Sequence, residues 1–63
     1  MRNIGKNIKS FRKSAGLSQE KLANKIDLTL RYFQRLESGS HTPTIATLTK
    51  IAKALGQSIK DFF

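Results

Sequence analysis

The segment from Ser18 to Glu37 constrains this chain more than any other, because it has to make two helices and a reversal with almost nothing spare between them. Leu22, Ala23 and Ile26 fall on one face at the helical period, and Phe33 and Leu36 do the same in the run that follows. Between them, Asp27-Leu28 leaves room only for a tight turn with one residue in the left-handed region, which Gly tolerates best and Asn or Asp next. If Phe33 and Leu36 face inward, then Arg31, Gln34 and Arg35 face outward, and no acid accompanies them until Glu37. The second helix therefore presents a row of long hydrogen-bond donors to its surroundings.

The rest of the chain carries the same kind of signal. Ile4, Ile8 and Phe11 predict a helix over residues 4–14, with Asn3 as cap, Ala15-Gly16 as stop, and Lys6, Lys9 and Lys13 on its other faces. Ser18 can cap a helix that starts at Gln19 and runs to about Ile26, since its hydroxyl can accept from a free amide of the first turn. Thr29 can cap the third helix, which continues to Leu36 or Glu37 and gives way to the polar loop Ser38-Gly39-Ser40-His41-Thr42-Pro43. Thr44 opens a fourth, whose Ile45, Leu48, Ile51, Ala52 and Leu55 form one stripe that ends at Gly56. Ser58 and Asp61 make a capping-box pattern for a last helical turn, with Ile59 and Phe62 closing the core and Phe63 partly exposed. No strand-like alternation, repeat or linker competes. The expected fold is all-α, five short helices around one core, with residues 1–63 as a single domain.

Composition narrows what such a fold can do. A chain of 63 residues is near the lower limit for a self-sufficient core, and with no cysteine it has neither disulfides nor a thiolate metal site to staple it. A cofactor pocket in so small a core is not expected. The single histidine, four scattered acids and absence of a glycine-rich phosphate loop offer no constellation for acid-base or metal chemistry, so no enzyme, metal site or cofactor is expected. Twelve Lys and Arg against four Asp and Glu give a formal charge of +8, which attracts polyanions at long range and makes nucleic acid the obvious candidate partner. No stretch approaches the roughly 20 apolar residues of a membrane span, and the N-terminus lacks a signal-peptide run, so a cytoplasmic location is expected.

Taken together, Gly16-Leu17-Ser18-Gln19-Glu20-Lys21-Leu22-Ala23, Arg35-Leu36-Glu37-Ser38-Gly39, Pro43-Thr44 and Leu48-Thr49-Lys50-Ile51-Ala52-Lys53-Ala54-Leu55-Gly56 resemble the phage repressor and Cro type of helix-turn-helix DNA-binding domain. The resemblance runs from about Ile4 to Phe62. It implies that the third helix lies in a DNA major groove while the second crosses the backbone. Gln19 and the amides near Ser18 would then hold a phosphate, and Leu30, Arg31 and Arg35 would face bases. Two positions depart from the family pattern: Asp27 stands where glycine is usual, and Leu30 where polar readers are common.

Individual side chains carry alternatives. Arg31 and Arg35, four apart, share a face; each guanidinium can grip O6 and N7 of a guanine or meet only phosphates, and Arg31, nearer the helix start, is favoured for the base. Gln34 lies on the same side, where an ordinary solvated glutamine is the simpler reading. Leu30 touches a thymine methyl or is merely exposed. Tyr32 bonds a phosphate or packs on a neighbouring helix. Thr29, at the start of that helix, joins the group facing DNA. Ser40, His41 and Thr42 share a loop that either approaches the DNA backbone, positioning without reading sequence, or is simply solvated. Lys6, Lys9, Lys13, Lys21 and Lys25 add diffuse attraction, whereas Lys50, Lys53 and Lys60 solubilise the far side.

Arg12 follows Ile8 by four residues and so borders the buried stripe of the first helix. A charge there needs a partner, and Glu37 is the natural one, a pairing to which the family resemblance also points. The expected Arg12–Glu37 ion pair would fix the tilt of the third helix. The functional expectation is a sequence-specific regulator of double-stranded DNA that acts by occupying an operator, as a homodimer at least on DNA, with no membrane or small-molecule partner. Phage repressors, restriction-modification controllers and antitoxins are the kinds of protein the resemblance suggests, and the end of the chain at Phe63 weighs against a toxin-neutralising tail. The alternative is a protein-interaction module that retains the helix-turn-helix shape.

Overall fold

The computed structural model describes residues 3–63. Four α-helices form in the order α1 (Ile4–Ser14), α2 (Gln19–Lys25), α3 (Leu30–Ser38) and α4 (Ile45–Leu55), followed by a 3-10 turn over Ile59–Phe62. Each α-helix starts where a side chain satisfies one of the free amides of the first turn: Asn3 accepts from Lys6 N, Ser18 from Lys21 N, Thr29 from Tyr32 N and Thr44 from Thr47 N, at 2.9 to 3.1 Å.

The fifth expected helix is a correction. Ile59–Phe62 is too short to close the longer bonds of an α-helix, and its amides bond three residues back, Asp61 N to Ser58 O at 3.0 Å and Phe63 N to Lys60 O at 3.3 Å. The anticipated capping pattern is used nonetheless, with Ser58 N donating to the Asp61 carboxylate at 3.2 Å.

The α2–α3 reversal depends on Asp27, which takes φ +58°. Its own amide bonds Asn24 O and the amide of Leu28 bonds Ala23 O at 2.9 Å, so two carbonyls at the end of α2 are satisfied within the turn. An aspartate in the left-handed region costs on the order of 1–2 kcal/mol relative to its ordinary backbone. The hydrogen bonds and the packing of Ile26 hold it there.

The core joins Ile8 of α1, Leu22 and Ala23 of α2, Ile26 just beyond it, Phe33 and Leu36 of α3, Leu48, Ile51 and Ala52 of α4, and Phe62. Phe62 is fully buried against Phe11, ring centroids 5.1 Å apart, and its carbonyl accepts from the Asn7 side chain at 2.8 Å, which ties the end of the chain to α1. Phe63 is 45% exposed, as its place beyond the last turn implies.

Ile45 departs from its expected place on the buried stripe and is 64% exposed. It is the first residue of α4, and side chains on a helix lean toward the N-terminus, so Ile45 projects past the edge of the core instead of onto it. The stripe proper begins one turn later, at Leu48.

Candidate nucleic-acid interface

Three elements supply one continuous surface: the start of α2, the outward side of α3, and the loop after α3. Phe33 and Leu36 are fully buried and fix the rotation of α3, leaving Arg31, Gln34 and Arg35 exposed and Leu30 at 37% exposure at the head of the helix. On the helical wheel Arg31 sits at the middle of the outward arc, Gln34 on the flank toward α2 and Arg35 on the other. Among the described residues the one ion pair within 4.0 Å is Arg12–Glu37, so neither Arg31 nor Arg35 is neutralised by a carboxylate. Two guanidinium groups with all donors available on one helix face can bind phosphate or the O6/N7 edge of guanine.

The side of α3 that faces the protein is held by a polar cluster. Arg12 donates from Nε to Glu37 Oε2 at 2.6 Å and from Nη2 to Oε1 at 3.2 Å, while Nη1 reaches Leu17 O at 2.7 Å. Both residues are buried, so the expected ion pair forms with a two-pronged geometry that suits a desolvated site. Gly5 adds a second constraint on the same crossing. A Cβ at Gly5 would lie under 3.0 Å from the backbone oxygens of Leu36 and Glu37, so only glycine lets α1 approach the last turn of α3 this closely.

Gln19 sits where the family pattern expects a phosphate contact, but its side chain is already engaged. It is half-buried, donates from Nε2 to Glu37 Oε1 at 2.9 Å, and accepts at Oε1 from Gln34 Nε2 at 3.3 Å. Gln34, expected to be an ordinary solvated side chain, is therefore tied to α2. Sequence reasoning missed this link. The available signal was that one guanidinium cannot fill every acceptor site of a buried carboxylate, so Glu37 required a further donor.

On the opposite flank the loop closes against α3. Arg35 O accepts from His41 N at 3.2 Å, from Ser38 Oγ at 3.0 Å and from Ser40 Oγ at 3.3 Å, and the two serine hydroxyls are 2.9 Å apart. Ser40 thus helps terminate the helix. The His41 ring meets Tyr32 edge-on, centroids 6.1 Å apart and planes at 85°, and Tyr32 is half-buried against the core. His41 and Thr42 are exposed beside Pro43, along an open groove that continues to Asn3 and Gly5 at the start of α1. Ser18 and Thr29 both use their side-chain oxygens as caps and remain exposed.

With this geometry in view, the comparisons with known proteins are consistent. A family model described as helix-turn-helix (HTH_3) matches residues 8–62. An uncharacterised HTH-type transcriptional regulator of Methanothermobacter thermautotrophicus is 39% identical over 57 residues, covering 89% of this chain and 83% of the relative. The crystal structure of the restriction-modification controller C.AhdI from Aeromonas hydrophila superposes with a TM-score of 0.91 at 30% identity, covering 97% of this chain and 92% of that one. The biofilm master regulator SinR, solved in complex with DNA, superposes with a TM-score of 0.88 at 33% identity, over 94% of this chain and 95% of that one. The chain belongs to the Cro/C1-type helix-turn-helix family, a family of transcriptional regulators.

Proposed function

We propose that this protein is a sequence-specific, double-stranded DNA-binding regulator of transcription that acts by occupying an operator in the cytoplasm. The observation that carries this reading is the outward side of α3, where Arg31 and Arg35 stand exposed and pair with no carboxylate among the described residues, on a helix whose opposite side is locked into the core. In this reading α3 enters the major groove, Arg31 grips a guanine edge, Arg35 and Leu30 contribute at neighbouring positions, and the amides at the start of α2 around Ser18 face a phosphate. Thr29, Tyr32, His41, Thr42 and Ser40 border the DNA backbone and set orientation. The excess of basic side chains supplies long-range attraction.

Residues 1–63 act as one DNA-binding domain, and two copies bind a near-palindromic site. The exposed apolar side chains of Ile45 and Phe63 are few, which suits association assisted by DNA over a tight free dimer.

Titration of the full chain against its selected duplex and against random DNA at several salt concentrations tests the proposal. Affinity should fall steeply with salt, with a slope of about −0.9 per neutralised phosphate, and the selected site should be preferred by about a thousandfold or more at two chains per duplex. Weak, salt-insensitive binding without sequence preference would instead support a protein-interaction module.

A further inference from the structure

A single hydrogen-bonded chain runs from the buried ion pair to the outer surface: Arg12 to Glu37, Gln19 to Glu37, Gln34 to Gln19. The direction of every bond in it is fixed. A carboxylate paired with a guanidinium only accepts, so Gln19 must turn its NH2 toward Glu37. Gln19 Oε1 then points at Gln34 and can only accept, so Gln34 must in turn present its NH2 to Gln19. What Gln34 has left over is Oε1 and one N–H. Both belong to an exposed side chain on the α2 flank of the outward arc, one turn along from Leu30 and next to Arg31.

We propose that Gln34 is a specificity-determining residue that reads an adenine, and that Gln19 positions it by relaying the polarity of the Arg12–Glu37 pair. This rests on the DNA-binding reading above and extends it to a particular base. Adenine displays an N6 amino donor beside an N7 acceptor in the major groove, the complement of a free amide oxygen beside a free amide N–H. Guanine presents two acceptors there, which would leave Gln34 Oε1 facing an oxygen or a ring nitrogen. A glutamine free in solvent chooses between its two orientations at the moment of binding. Gln34 has that choice made for it by a charge three residues along the same helix, and Gln19 acts as an orienting residue in place of a backbone contact.

The test is affinity of the full chain for a panel of duplexes in which each base pair of the selected site is varied in turn. The wild-type chain should prefer A·T at one position by roughly ten- to a hundredfold, as a two-bond amide contact provides. Gln34→Ala should flatten the preference at that position alone. Gln34→Glu, which offers only acceptors, should move it toward cytosine, whose N4 amino group donates. Gln19→Met, similar in length but unable to relay, should lower the preference at the same position several-fold and leave the guanine positions untouched, and it should shift the side-chain amide resonance of Gln34 in the free protein. The inference is overturned if Gln34→Ala weakens every duplex alike or none, or if Gln19→Met lowers affinity equally across the panel. A wild-type chain without preference for any duplex would instead overturn the function itself, a result distinguishable from both because it appears before any substitution is made.

Discussion

The two sides of α3 are made from similar lengths of sequence and behave in opposite ways. Toward the protein, Phe33, Leu36 and Glu37 are buried, and every polar atom of Glu37 that is withdrawn from water has a donor. Toward solvent, Arg31 and Arg35 have no partner of opposite charge among the described residues. The contrast shows how a domain this small divides its labour. One side uses its whole hydrogen-bonding capacity to hold the helix at a fixed angle, and the other keeps its capacity unspent for a ligand. Gln34 and Gln19 lie on the boundary and take part in both.

Substitutions can break this division in order of decreasing effect. Phe33→Ala removes a fully buried ring from the centre of the core and should destabilise the fold by about 3–5 kcal/mol, seen as a lower denaturant midpoint. In a domain of this size that is enough to unfold much of the population, and DNA binding should be lost with it. Arg12→Met leaves the Glu37 carboxylate buried without its counter-charge and should cost on the order of 3–5 kcal/mol in the same measurement. A change under about 0.5 kcal/mol would mean that the pair does not hold α3, and the two sides of the helix would not be as distinct as described.

On the outward side the expected pattern reverses. Arg31→Ala should leave the unfolding midpoint within about 0.5 kcal/mol of wild type while removing about 1–3 kcal/mol of discrimination at one base pair in duplex competition assays. If the loss is instead uniform across sequences, Arg31 contacts the backbone. The smallest effect should come from the turn that joins the helices. Asp27→Gly relieves the left-handed backbone of a residue with a Cβ and should raise stability by roughly 0.5–1 kcal/mol with no change in base preference, since only the hinge and neither side of α3 is touched.

Much of this arrangement is legible in the sequence. The caps Asn3, Ser18, Thr29 and Thr44 and the left-handed turn at Asp27 are local matters, decided by which side chain can reach a free amide or tolerate a positive φ within a few residues. The Arg12–Glu37 pair was accessible because the helical period puts Arg12 at the edge of a buried stripe, and a charge in such a place demands an opposite one. Other features were out of reach. Ile45 has the spacing of a core residue, yet whether the core extends beneath the first turn of α4 depends on where α4 lies. The last helical segment carries the pattern of a helix start, but that pattern does not set which bonds its residues close, and in the fold they close 3-10 ones. Gln19 and Gln34 are fifteen residues apart on different helices, and neither shows in the sequence any sign of the other.

From its sequence alone, then, this protein's four α-helices, their caps, its turn, its basic character and the outward arginines were determined, because each follows from short-range geometry or from a sum over residues. The angle at which α1 crosses α3 over Gly5, and the route by which a buried carboxylate orients an amide at the surface, were decided only in the folded molecule. Both require atoms distant in the chain to come within a hydrogen bond or a van der Waals radius of each other, a distance that no periodicity encodes.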